Sequence, residues 1–516
     1  MSIVECPRCG YDFRPETNEV SLLEDEVRRL ENEIFNLHEA RASLLRRINN
    51  AQSATRHVPP EVLSTIFQFV PPPVDFMRSL SSEDGMKPYS KDELFQCKMT
   101  AVSHSWRQAA LSDPQLWNTL SLRLWAHPSA ITANLSLFDW FSRNAGSLPM
   151  SIALHLDEHA TSSSPEDRVE YLQLMEPIKK AVFVDHGERI QCLCLIGPPD
   201  EWFPHLKNLG RCDSLAVARP SQAINHDLPL EARLDLTELP RLRHVVLIEV
   251  LCPFSLPSTT TILHFRGVPA DDCLGALVTC PRLVKFEKDK SSKERIVPVT
   301  NVNEPITIKE LEYLNWNVGI CTWYPPICRG FSFLRFSRLR TLHWSDDIHH
   351  MFADETHEEN RLLVTKFFCH LPTTLSSLTF TRCRYSIEAY RELLGWIPHL
   401  STLHFISCDR ACVQPIVKAI GRPISQLEQE AIDTSISSDQ TLLPNLSHLS
   451  ITATWLSELP DGCIFVDMLE AIHNSGKGQG GFKLSLNHPV SWNANDLDRM
   501  RMLESSGFSL ELDLAN

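Results

Sequence analysis

The sequence lacks any run of about twenty consecutive apolar residues, the length a membrane-spanning helix requires. Charge or proline interrupts each apolar stretch within a few residues. Behind the opening MSIVECPRCG there is no apolar segment, so no secretory leader is read there. Basic residues are in deficit: 49 Lys and Arg against 64 Asp and Glu leave a net charge of −15. That balance argues against nucleic acid as the main partner, since phosphate binding needs a basic face. No Walker A sequence and no G-x-S-x-G nucleophile elbow occurs. The 16 cysteines form no compact framework of the kind small secreted scaffolds use. They read as reduced, mostly buried thiols of a protein in the cytosol or nucleus. A length of 516 residues suits two or three domains, or one small module with a long repeat array.

What is present starts at residues 1–18 with Cys6 and Cys9, a CPRC pair spaced like half of a tetrahedral zinc site. No second CxxC follows. The expectation is therefore no cofactor, unless two chains share one zinc through Cys6 and Cys9 of each. Residues 19–50 are helical in pattern. Val20, Leu23, Val27, Leu30, Ile34, Leu37, Leu44 and Ile48 alternate spacings of three and four, with Arg41 in the remaining slot. That is the seam of a coiled coil. Ser21 and Glu24 are spaced for a capping box. Acidic residues crowd the first half and Arg41, Arg46 and Arg47 the second, as the helix dipole prefers. Two outcomes stay open: a homodimer, or packing of this helix on its own chain.

Residues 56–122 carry the most specific pattern. His57-Val58-Pro59-Pro60-Glu61 leads into Leu63, Ile66, Phe67 and Val70, and Pro71-Pro72-Pro73 ends the helix. After a polar linker, Ser103 is placed to cap a helix whose inner face is Val102, Trp106 and Ala109, and Asp113-Pro114 opens a further turn before Leu116 and Trp117. Three short helices around a small aromatic core are expected. VPPEVLSTIF resembles the first helix of an F-box, usually Leu-Pro-x-Glu-Ile-Leu-x-x-Ile-Phe. VSHSWRQAALSDPQLWNTLSL resembles its closing half in mushroom-forming fungi. Val58 departs from the usual leucine, and residues 71–91 push the halves apart. The resemblance implies docking on the Skp adaptor of a cullin-RING ubiquitin ligase. The residues it implies are Val58, Pro59, Pro60, Leu63, Ile66, Phe67, Val102, Trp106, Leu116 and Trp117. Of these, Phe67 and Trp106 are expected in the core, and Pro59, Pro60 and Leu63 as exposed contacts.

The remainder, residues 123–516, reads as one substrate-recognition domain, and from about residue 185 a pattern L-x-x-L-x-φ recurs in it. It appears at Leu242/Val245/Leu247, Leu283/Phe286, Leu311/Leu314/Trp316, Leu339/Leu342/Trp344, Leu375/Leu378/Phe380, Leu400/Leu403/Phe405 and Leu446/Leu449/Ile451. From Leu283 the leading leucines step by 28, 28, 36, 25 and 46 residues, an irregular repeat. Each unit reads as helix, turn and short strand, with Asp271 and Ser386 placed to start helices. No single unit can bury its apolar face, so neighbours must stack. The fold class expected is α/β: a coiled-coil helix, a small all-α F-box module, then an irregular leucine-rich-repeat-like solenoid. Residues 123–185 fit the repeat poorly.

Two further patterns are set aside. Gly476, Gly478 and Gly481 match G-x-G-x-x-G, but helix precedes and strand follows, the inverse of a dinucleotide site. His343, Asp346, Asp347, His349, His350, Asp354 and His357 gather in one stretch without H-E-x-x-H and read as a solvated insertion. The chain is read as a non-enzymatic substrate receptor of a Skp-cullin-F-box ligase that binds a protein substrate through its repeats. The alternative is a scaffold outside any ligase, dimerising through residues 20–48.

Overall fold

The computed structural model describes residues 17–52, 55, 58–69, 95–125, 127–156, 165–219, 233–289, 305–318, 332–346, 364–383, 385, 387–422, 441–453, 460–474, 481–487 and 490–514. By contacts the chain divides into two units, one of Met1–Val74, Ser90–Asn118 and Phe141–Leu148, the other of the remainder. Cys6 and Cys9 lie outside the described residues, as do Asp347, His349, His350, Asp354, His357, Ser386, Gly476 and Gly478.

The first unit is helical. Helix α1 runs Thr17–Gln52, so Ser21 sits inside it and the expected capping box does not start it. Over residues 20–48 every side chain except that of Ala42 is exposed. Helices α2 (Pro60–Phe69), α3 (Phe95–Val102) and α4 (His104–Leu111) follow, then a 3-10 turn at Pro114–Trp117.

The second unit is built on a 14-stranded parallel sheet. Its strands are β1 (Thr119–Leu124), β2 (Met150–Leu156), β3 (Ile190–Ile196), β4 (Ser214–Ala218), β5 (His244–Ile248), β6 (Ile262–Arg266) and β7 (Lys285–Asp289). Then come β8 (Tyr313–Val318), β9 (Thr341–Asp346), β10 (Ser377–Thr381), β11 (Thr402–Ile406), β12 (His448–Thr452), β13 (Phe482–Leu486) and β14 (Leu510–Leu514). They lie side by side in chain order, with no strand out of sequence. Parallel neighbours need a crossover, and helices supply many of them. These are α5 (Pro128–Asn144), α6 (Pro165–Lys180), α7 (Ala270–Thr279), α8 (Ile387–Gly395), α9 (Arg410–Ala419), α10 (Gly462–Asn474) and α11 (Ala494–Ser505). Helix α7 starts from Pro269, so Asp271 falls in its first turn and does not cap it. The sheet begins at Thr119, so residues 123–185, where no repeat is legible, contribute strands as well.

Register explains the leucine pattern. One column of partners runs Leu120, Ile152, Leu193, Leu215, Val245, Leu263, Phe286, Leu314, Leu342, Leu378, Leu403, Leu449, Leu484 and Leu512. All but Leu512, on the last strand, are buried. Two residues on, a second column carries Phe265, Lys288, Trp316, Trp344, Phe380 and Phe405. Side chains alternate across a strand, so both columns share one face, and that face holds the core. Lys288 occupies an aromatic slot with 0% exposure. Its Nζ lies 5.3 Å over the Trp316 ring and donates to the Asn317 carbonyl at 3.2 Å, so the ammonium is satisfied where its stem is packed.

Five of the strands end in a shared turn. Gly197, Glu249, Gly267, Arg382 and Ser407, each the residue after its strand, have φ of 70°, 54°, 67°, 56° and 55°. Four of their N–H groups, those of Gly197, Glu249, Arg382 and Ser407, donate to a carbonyl of the following strand at 2.7–2.8 Å. At Gly267 a Cβ would sit 2.4 Å from the Glu249 carboxyl carbon, so a larger residue would have to displace that carboxylate as well as take a positive φ. Just beyond two of these turns, buried Cys383 and Cys408 donate their thiols to the carbonyls of Trp344 and Phe380 on the preceding strand.

Candidate functional site

In the first unit the Pro59 carbonyl accepts from Val62 N (3.0 Å) and Leu63 N (3.1 Å), which starts α2 directly after the Pro59-Pro60 pair. Leu63 and Phe67 are each 1% exposed and form the inner face of the helix. Ser64 Oγ donates to the Ala109 carbonyl (3.3 Å), and Gln68 Nε2 to Asp113 Oδ2 (2.7 Å), which join α2 to α4 and to the turn after it. Ser103 caps α4 as expected, accepting from Trp106 N at 3.2 Å. The Trp106 ring lies 4.9 Å from that of Phe67, and its Nε1 donates to Thr55 Oγ1 at 2.8 Å. Asp113 Oδ1 accepts from Gln115 N and starts the 3-10 turn. Trp117 is fully buried, donates Nε1 to the Ala110 carbonyl at 2.7 Å, and meets Phe141 edge-on at 5.1 Å.

The ten residues read from the sequence as adaptor contacts therefore separate. Leu63, Phe67, Leu116 and Trp117 are buried; Val58 and Trp106 are half-buried; Pro59, Pro60, Ile66 and Val102 are exposed. Leu63 is not the exposed contact expected, because together with Phe67, one turn on, it faces inward. Val102 is not part of the inner face of α4: it ends α3 and is exposed. The buried alanines there are Ala109 and Ala110.

Two residues absent from the sequence reading complete an outer face. Val62, Ile66 and Phe69 recur at i, i+4 and i+7, and they are 46%, 46% and 83% exposed. With Pro59 and Pro60 at the start of α2, they form an apolar strip on one side of a ten-residue helix. The i, i+4, i+7 spacing from Val62 was the available signal, masked by the parallel spacing of Leu63, Phe67 and Val70 one residue on. The strip carries no catalytic group. Its chemistry is that of a helix face that removes apolar surface from water when a partner covers it.

Residues 55–123 match the F-box-like family model. That span takes in both halves of the motif, so the Phe67–Trp106 ring contact, the buried Leu63 and Trp117, and the outer Val62–Ile66–Phe69 strip belong to one F-box-like domain. No curated protein matches the chain. Among solved structures, a crystal structure of a TLR13–ssRNA13 complex aligns at 12% identity and a TM-score of 0.22, over 63% of this chain and 52% of that one. The chain thus spans about half the length of that protein.

In the second unit, the sheet face opposite the core changes character along the strands. At β2–β5 it is small and apolar, with Ala153, Cys194, Ala216, Ala218, Val246 and Ile248 buried. From β6 it becomes polar. His264 Nδ1 lies 3.0 Å from Glu287 Oε2 and its Nε2 3.0 Å from Asp289 Oδ2. Lys285 Nζ lies 3.0 Å from Glu287 Oε1 and 5.1 Å over the Tyr313 ring, which meets His343 at 5.2 Å. Burial opposes the charge on His264, but the hydrogen bonds its ring donates to Asp289 and Glu287 outweigh it and raise its pKa to about 9. Burial likewise opposes ionised Glu287, and His264 and Lys285 prevail, bringing it down to about 2. Farther along, burial and then the neighbouring His448 and His343 lower His404 to about 4. The face is therefore charged at β6–β7, carries neutral imidazoles and hydroxyls at β10–β12, and becomes charged again at β13–β14, where Lys483 pairs with Glu511. Among the described residues no group of three or more His, Cys, Asp or Glu is arranged to hold a metal. No described helix is long and apolar enough to cross a membrane.

Proposed function

We propose that this chain is a substrate receptor of a Skp-cullin-F-box ubiquitin ligase, acting in the cytosol or nucleus without catalytic chemistry of its own. The F-box-like domain docks on the Skp adaptor, and the strand-rich region, read as an irregular leucine-rich-repeat-like solenoid, holds a protein substrate. The observation that carries this reading is the exposed Val62–Ile66–Phe69 strip on the first helix of an F-box-like domain. Complete burial of a fully exposed side chain of this kind is worth about 1.5–3 kcal/mol. Phe69, at 83% exposed, keeps most of that and Val62 and Ile66, at 46%, roughly half, which together can anchor an interface. The solenoid reading is supported by the sequential parallel strand order and by the coincidence of every L-x-x-L-x-φ copy with a strand. Substrate contact is assigned to the polar sheet face from β6 onward, with its fixed charges and hydroxyls.

The test is co-purification of the intact chain with the Skp adaptor. Ile66→Asp and Phe69→Asp should each abolish co-elution while circular dichroism and the denaturation midpoint stay unchanged, because both side chains are exposed. Leu63→Ala is the contrasting variant: it should cost about 2–5 kcal/mol of stability, as a core truncation does. A well-folded intact chain that forms no complex would sink the ligase reading.

A further inference from the structure

We infer that α1 pairs with α1 of a second copy of this chain, and that the two helices run antiparallel. The inference stands apart from the adaptor reading, because α1 lies outside the F-box-like span. The heptad places Val20, Val27, Ile34, Arg41 and Ile48 at a, and Leu23, Leu30, Leu37 and Leu44 at every d. The eight apolar members of this seam are all 38% exposed or more. A seam of this regularity left in water is covered by another helix of the same register. In parallel coils, β-branched residues at a with leucine at d favour two strands. The a/d composition by itself therefore does not choose the antiparallel pair; the charges along the helix do.

Charge is divided along α1. Residues 17–34 hold six acidic and two basic side chains, and residues 35–52 hold one acidic and three basic. A parallel pair would set the acidic halves together and face Glu26 at g against Glu31 at e of the second copy, twice by symmetry. It would also set Arg41 against Arg41 across the apolar seam, where a like-charge contact is costly. The antiparallel pair with Arg41 opposite Leu30 instead brings Glu26 to Arg47, and Glu31 to His38, again twice each. Glu33 of the second copy then lies beside Arg41. Within one chain Arg28 is already matched to Glu24 and Asp25, and Arg29 to Glu26 and Glu33, which tempers but does not reverse the acidity of the first half.

The experiment is sedimentation equilibrium on the full chain. The intact protein should be a dimer, and Leu30→Asp a monomer with unchanged helix content outside α1. Glu26→Lys and Arg47→Glu should each loosen the dimer roughly tenfold by reversing two pairs, and the double variant should regain most of the loss. An intact chain that stays monomeric at about 50 μM, well above ordinary dimer affinities, overturns the pairing. A dimer that Glu26→Lys tightens overturns the antiparallel direction, because in a parallel coil that change replaces Glu–Glu repulsion with attraction. Adaptor binding by Ile66 and Phe69 is unaffected by either result, so this inference and the ligase reading fail independently.

Discussion

His264, Glu287 and Asp289 form a partly buried charge cluster on the sheet face opposite the core. His264 keeps its proton in the folded chain to about pH 9, against an ordinary 6.5. Its contribution is therefore complete below pH 6.5 and is lost as pH rises toward 9. Glu287, held at about 2 against an ordinary 4.5, contributes above pH 4.5 and loses that contribution as pH falls toward 2. His404 acts in a third way. Lowered to about 4, it stays neutral when folded while the unfolded imidazole takes a proton, so stability falls as pH drops from 6.5 toward 4. In urea titrations the gap between the wild type and His264→Gln should narrow from pH 6.5 to 9. A gap that stays constant across that window would show that His264 does not hold an elevated pKa. None of this cluster was legible in the sequence, because it assembles from residues on successive strands more than 20 positions apart. The stretch around His343 drew notice instead, and of its members the described sheet face receives His343.

At the scale of elements, the turn shared by β3, β5, β6, β10 and β11 is where backbone geometry outranks side-chain preference. Arg382 and Ser407 take the left-handed conformation that glycine takes at Gly197 and Gly267. For a side chain bearing a Cβ this costs roughly 1–2 kcal/mol, partly offset by the entropy that glycine loses on folding. Ser407→Gly should therefore raise stability by up to about 1 kcal/mol in chemical denaturation. A clear loss would mean that the serine side chain contributes more than the strain costs. The repeat was legible from Leu242 on because several later strands alternate buried and half-buried positions, as in Thr402–Ile406 and His448–Thr452. At Cys194–Ile196 and Leu215–Ala218 both faces are buried, and a continuous apolar run conceals the period of two. In the F-box-like domain the residue types were legible and their directions were not. Leu63 and Ile66 look alike in sequence, and only the packing of α2 on α4 sends one inward and leaves the other outside.

For the whole molecule, strict sequential order means that each strand of the sheet hydrogen-bonds to the strands next to it in the chain and to no others. Cohesion is then a chain of neighbour terms, and protection should be graded along the sheet. β14 pairs with a single strand, and its Leu512 is 39% exposed, so by hydrogen exchange its amides should open well before those of β10 and β11. Uniform protection from β1 to β14 would indicate one cooperative block. The F-box-like domain, with Leu63, Phe67 and Trp117 buried and Phe67 packed on Trp106, should keep a separate transition.

The same ordering bears on how the sheet is first laid down. Each strand needs only its predecessor as a template, so loop closure at every step spans a few tens of residues, and its entropic cost grows only logarithmically with that length. A ribosome releasing the chain from its N-terminal side delivers β1 before β2 and β2 before β3, in the order in which they pair. Assembly can therefore keep pace with synthesis. At any moment the growing edge is a single nascent strand awaiting the next, which shortens the interval in which its unpaired backbone is open to other chains.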